Sequence, residues 1–133
     1  HGSIRSPLWR KGGVVFGPRT REFGWTMPKK MRRAALRQAL SAKVKNGELI
    51  VVDSFELEAP KTREVAALLK NLNVEGKAFI VTAEEDTNIY KSARNIPGVR
   101  ANAARNLNAY EVLAASKLVL TQDAVAKVEE VLG

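Results

Sequence analysis

Leu49-Ile50-Val51-Val52-Asp53 is the run that decides the fold. Four consecutive apolar residues, three of them β-branched, closed by one acid and showing no polar alternation, describe a strand buried on both faces. That is the habit of parallel sheets covered by helices. Beyond the turn around Pro60, Val65, Leu68, Leu69 and Leu72 recur at helical spacing from Thr62 to Leu72. A second strand, Ala78 to Thr82, follows Gly76. Asp86 or Thr87 caps a helix running to Asn95, stopped by Ile96-Pro97-Gly98. Val99 to Ala103 reads as a third, more polar strand. Asn108 caps a short helix carrying Tyr110, Val112 and Leu113, and Lys117 to Leu120 reads as a further strand. Thr121 caps the last helix, with Ala124, Val125, Val128, Val131 and Leu132 as its inner face. Strands alternating with helices predict an α/β fold in three layers: a largely parallel sheet with right-handed crossovers and helices on both faces.

Toward the amino end, Asn46-Gly47 closes a helix that Thr26 or Met27 caps and that Pro28 opens. Met31, Ala35, Leu36, Ala39, Leu40 and Val44 make its expected buried stripe. Its early turns carry Lys29, Lys30, Arg32, Arg33 and Arg37, and Lys30, Arg33 and Arg37 share one face at i, i+3, i+7. Cations at a helix N-terminus oppose the macrodipole by a few tenths of a kcal/mol each. An arriving phosphate reverses that penalty, which makes this face a candidate phosphate-binding surface.

Upstream, residues 1–26 show neither helical nor strand periodicity, and Gly12, Gly13, Gly17, Gly24, Pro7 and Pro18 interrupt any regular element. Yet four of the chain's six Trp and Phe residues lie here. Trp9, Phe16, Phe23 and Trp25 interleave with Arg5, Arg10, Lys11, Arg19 and Arg21. Aromatic and guanidinium planes in a glycine-spaced strip suit stacking on unpaired bases and threading between phosphates. This predicts an extended basic segment, residues 1–26, that orders on RNA, ahead of one globular domain, residues 27–133. The expected RNA-binding set includes Gly12 and Gly13, Arg5, Trp9, Arg10, Lys11, Phe16, Arg19, Arg21 and Trp25, together with the five helix cations.

The charge is divided the same way. Residues 1–45 hold twelve Lys or Arg against one acid, Glu22, a balance of +11, while the rest hold ten bases against thirteen acids, a balance of −3. Basic character confined to one end implies a polyanionic partner. With 133 residues and 45% apolar content, one core is expected. There is no cysteine, and the single histidine is His1, so neither thiolate metal sites nor disulfides arise. No apolar run approaches the roughly 20 residues of a membrane span, so no membrane partner is expected. A chain opening on His inside an irregular stretch is expected to be part of a longer one.

Catalysis finds little footing. Ligands of parallel sheets bind beyond the carboxyl ends of strands, where Asp53 and the Glu84-Glu85-Asp86 run could hold Mg²⁺ for phosphoryl chemistry. Against this alternative, Asp86 has a capping role and Asp53 lacks a lysine or nucleophile beside it. Gly12-Gly13 and Gly17 follow no strand, and no Gly-Lys-Ser/Thr closes them, so no phosphate-binding loop is spelled. The serines have no internal histidine to activate them. No cofactor, metal or catalytic residue is expected.

Trp9-Arg10-x-Gly12-Gly13-x-x-Phe16-Gly17-Pro18, followed by Pro28-Lys29-Lys30-x-Arg32-Arg33-x-Ala35-Leu36, resembles the bacterial-type large-subunit ribosomal protein family called L-four. The likeness continues through Leu49 to Asp53, Pro60-Lys61-Thr62, Leu107-Asn108-x-Tyr110 and Lys117-Leu118-Val119-Leu120-Thr121. The resemblance implies a non-enzymatic α/β body at the surface of the large subunit. It also implies a long loop threaded through ribosomal RNA to the nascent-peptide tunnel, residues 1–26 matching its returning half. The outgoing half, the loop tip and a first strand and helix normally precede this point in the family. The implied partners are large-subunit ribosomal RNA, neighbouring ribosomal proteins and, in members that repress their own operon, their own messenger RNA. The implied location is the cytoplasmic or organellar ribosome.

Overall fold

A computed structural model describes residues 2–55, 57 and 59–132; His1 lies outside them. Four strands, β1 Leu49–Val52, β2 Ala78–Thr82, β3 Val99–Ala103 and β4 Lys117–Thr121, form one sheet in the order β1-β4-β2-β3, all parallel. Five helices join them: α1 Lys29–Lys45, α2 Thr62–Asn71, α3 Thr87–Ala93, α4 Ala109–Ala114 and α5 Gln122–Leu132, with a 3₁₀ turn at Ala104–Asn106.

Alternation along β2 and β4 sends side chains to two covered faces. Phe79, Val81, Leu118 and Leu120 pack under Leu36, Ala39 and Leu40 of α1, Val112 of α4, and Ala124, Val128 and Leu132 of α5. Ala78, Ile80 and Val119 face Val65 and Leu69 of α2 and Ile89 and Ala93 of α3. The three-layer α/β expectation therefore holds, and the two central strands are the doubly buried ones. β1 departs from it. It lies at the sheet edge, pairs only with β4 among the described residues, and leaves Val51 50% exposed, because the covering helices are centred on β4 and β2.

The local signals place most boundaries. Asp86 accepts from the amides of Asn88 (2.8 Å) and Ile89 (3.2 Å), Asn108 from Glu111 (2.8 Å), and Thr121 Oγ1 from Ala124 (3.2 Å), so these caps are as expected. Gly47, at φ +65°, ends α1 in the left-handed conformation that glycine adopts without strain. Two expectations for α1 are corrected. Neither Thr26 nor Met27 caps it; Pro28 occupies that position without a side-chain bond. The inward line runs Leu36, Ala39, Leu40 and Lys43, leaving Met31, Ala35 and Val44 exposed, since α1 packs chiefly on α4 and presents only this stripe inward.

Residues 2–27 contain no helix or strand, as expected, and no hydrogen bond among the described residues ties them to the body. They are not uniformly extended. Successive bonds from the amides of Ser6 to Ser3, Trp9 to Ser6 and Gly12 to Trp9 fold residues 3–12 into turns. The amide of Gly13 donates to the carbonyl of Arg5 (2.9 Å) and closes the set.

Candidate nucleic-acid interface

Lys29, Lys30, Arg32 and Arg33 are exposed at the start of α1, a turn with no acid and no side-chain cap. The first amides of a helix have no partner within it, and here no carboxylate or hydroxyl supplies one. Four cations and unfilled backbone donors at the positive end of the dipole form an anion-receptive end.

Arg37, exposed like the other four helix cations, also has a partner within the protein. Its guanidinium donates to the carbonyl of Leu132, 95 residues away at the end of α5, and so ties α1 to the C-terminal helix. Basic residues suit exposed C-terminal carbonyls. Lys43, by contrast, is buried: its ammonium, 8% exposed, bridges Glu48 Oε2 and the Ala115 carbonyl, each at 2.6 Å. The hydrogen bond from Lys43 is the largest influence holding the Glu48 carboxyl below its ordinary 4.5, assisted by the charges of Lys43 and Lys117 against an opposing effect of burial. Local spacing signals neither role, since both depend on partners distant in sequence.

Among the described residues, the other ten cations of this end have no acidic partner: Arg5, Arg10, Lys11, Arg19, Arg21, Lys29, Lys30, Arg32, Arg33 and Lys45. All ten are exposed. The interleaved aromatics are equally open, with Trp9 54%, Phe16 93%, Phe23 80% and Trp25 77% exposed. Arg21 stacks its guanidinium 4.5 Å from the centre of the Phe23 ring. Large aromatic faces left in water beside guanidinium groups lie outside the core and are open to stacking partners. Gly12 is half-buried within the turns and Gly13 is exposed.

Unforeseen by local pattern is an apolar groove of about 490 Å³ beside the α1 cations, floored by Met27, Leu36, Leu107, Val131 and Leu132 and rimmed by Lys29, Arg32 and Arg33. Its walls come from three separate stretches, so only the fold assembles it.

At the carboxyl ends of the strands, Asp53, Glu84, Glu85, Asp86 and Asp123 surround an open groove of about 410 Å³. Asp86 spends one oxygen capping α3, and Glu85 accepts from Asn106 Nδ2 at 3.2 Å. Among the described residues no three acids converge as a metal site, so the Mg²⁺ alternative gains no supporting geometry. Among the described residues, no helix is long and apolar enough to cross a membrane.

The family model described as the ribosomal protein L4/L1 family matches residues 1–131. The chain is 87% identical over 133 residues to the large ribosomal subunit protein uL4 of Symbiobacterium thermophilum, covering 100% of this chain and 64% of that protein. Against the uL4 protein of Carboxydothermus hydrogenoformans it is 60% identical over 131 residues, covering 98% and 64%. The corresponding values for Moorella thermoacetica are 55% over 132 residues, with 99% and 64% covered. The chain thus spans about 64% of the length of these curated relatives.

Proposed function

Because the chain belongs to the ribosomal protein L4/L1 family, we propose that it is a structural, non-catalytic component of the large ribosomal subunit. It binds large-subunit ribosomal RNA and touches neighbouring ribosomal proteins, in the cytoplasmic or an organellar ribosome. Residues 1–26 thread through RNA toward the nascent-peptide exit tunnel, and residues 27–133 form the anchored body. The observation that supports this reading is that ten of the twelve cations of residues 2–45 are exposed and without acidic partners among the described residues, against a single acid, Glu22, and are interleaved with exposed aromatics.

The chemistry of each part follows from its placement. Arg5, Arg10, Lys11, Arg19 and Arg21 neutralise phosphates, and Trp9, Phe16 and Trp25 stack on unpaired bases. Gly12, where the backbone crosses Ser6 at close range, lets these groups converge. Lys29, Lys30, Arg32 and Arg33 meet the RNA backbone with the α1 amides behind them. Backbone contacts of this kind fix position and carry no sequence information. The test is a density map of the large subunit containing this protein: residues 2–27 running between RNA segments and the start of α1 against phosphates is the expected result. Those residues lying in solvent, with α1 facing away from RNA, would overturn the proposal.

A further inference from the structure

The turns at residues 3–13 combine a close approach with a strained residue. A Cβ built on Gly12 would lie 1.9 Å from the Ser6 carbonyl oxygen and 2.8 Å from its carbon, both backbone atoms that cannot swing aside. The same construction on Gly13 meets only the Arg5 carbonyl oxygen, at 3.5 Å, an ordinary contact. Neighbouring glycines are therefore unequal: the first is required by the backbone crossing, and the second is replaceable. Within the turn from Trp9 to Gly12, Lys11 holds φ +63°, a left-handed position where glycine or asparagine sits at less cost. A lysine kept in an unfavourable backbone conformation, at a site exposed to solvent and without a partner, serves its charge and not the turn.

We infer that residues 3–13 are a preformed element that recognises folded RNA, with Gly12 as the positioning residue that holds Arg5, Arg10 and Lys11 in fixed relation around Trp9. This rests on the RNA-binding reading above and adds the kind of RNA taken. Cations at set spacing on a closed backbone match phosphates that are themselves held in place by RNA tertiary structure, because neither side then loses freedom on binding. A flexible single strand adapts to either arrangement and gains nothing from rigidity. Residues 14–27 have no backbone hydrogen bonds of this kind among the described residues, so the preformed element is confined to the first half of the segment.

The test compares wild type, Gly12→Ala and Gly13→Ala in binding to deproteinised large-subunit ribosomal RNA folded with Mg²⁺, and to a polyuridine strand. Gly12→Ala is expected to lose roughly tenfold or more in affinity for the folded RNA, the equivalent of about 1.4 kcal/mol. All its cations remain, so the salt slope should be unchanged. Its affinity for polyuridine should stay within about twofold, and Gly13→Ala should match wild type on both RNAs. Melting temperatures should be equal for all three, since residues 2–27 make no hydrogen bond to the body among the described residues. Gly12→Ala binding folded RNA like wild type, equal losses in both glycine variants, or a lowered melting temperature in Gly12→Ala alone would each overturn this inference. None of these touches the proposed function, which in this experiment fails if the wild-type chain itself does not bind the folded RNA.

Discussion

Arg33 and Arg37 stand one helical turn apart on α1, and the structure separates their effects. Lys30 and Arg33 are exposed cations without acidic partners, whereas Arg37 donates to the Leu132 carbonyl. Each phosphate neutralised contributes about 0.7–0.9 to the slope of log affinity against log salt, so Lys30→Ala with Arg33→Ala should flatten the slope by about 1.4–1.8. The double variant should be as stable as wild type or slightly more so, because two like charges leave the positive end of the dipole and Ala is the best helix former. Arg37→Ala should do the opposite. A hydrogen bond from a charged donor is worth about 1.5–3 kcal/mol, and exposure of Arg37 lowers the expectation to that range's bottom edge or below it, about 1–1.5 kcal/mol. For a domain of this size that is a fall of roughly 3–6 °C in melting temperature, with the salt slope kept. The assay pairs salt-titrated binding to large-subunit RNA with thermal unfolding of the same preparations. A flattened slope in Arg37→Ala at unchanged melting temperature would refute the division and return Arg37 to the RNA surface. A destabilised double variant would mean that the first turn of α1 serves the fold.

Three further outcomes are expected. Trp9→Ala should lose about 1–3 kcal/mol of RNA affinity with little change in salt slope, while Arg19→Ala should lower the slope by about 0.7–0.9; equal slopes in a salt titration would contradict the stacking and charge roles. Lys43→Met should destabilise the chain by about 1–3 kcal/mol, because the buried Ala115 carbonyl loses its donor, read as a lower denaturant midpoint at unchanged m-value. The native Glu48 carboxyl titrates below its ordinary 4.5, so its contribution is complete above that value and is lost as pH falls through the lowered one. The stability gap between wild type and Glu48→Gln should therefore be constant near neutrality and close in acid, and a gap that widens in acid would contradict the assignment.

Much of the fold was legible because its signals are local. A continuous apolar run marks a strand whatever its neighbours, and Asp86, Asn108 and Thr121 cap helices through bonds spanning three residues at most. The exposure of Val51 was not legible, because edge or centre is decided by strand order, and β1 neighbours β4, far along the chain. Met31 and Val44 fit the helical period as well as Leu36 and Leu40 do; the width of the covered stripe depends on where α4 sits. For the candidate interface, charge segregation and interleaved aromatics were visible as composition. Apolar periodicity carries no trace of a backbone bond from Gly13 to Arg5, so the closed turns at 3–13 became visible only in three dimensions.

Stability and recognition are assigned to different residues, with α1 as their junction. The buried clusters draw on Ala39 and on residues from Val65 onward, and none of the ten unpartnered cations belongs to either cluster. Their crowding on α1 costs a few tenths of a kcal/mol each, a loss the core can carry. A rigid body with a separately adjustable charged surface follows, since substitutions on that surface alter binding without touching the clusters. Arg37 is the exception that orients it: by tying α1 to the end of α5, it fixes the direction of the helix whose first turn carries four cations. Loosening that tie should misdirect Lys29, Lys30, Arg32 and Arg33 together. RNA affinity would then fall in Arg37→Ala even with every one of those four charges still present, with full saturation still reached at high RNA concentration, and an unchanged Kd in a binding titration would refute this.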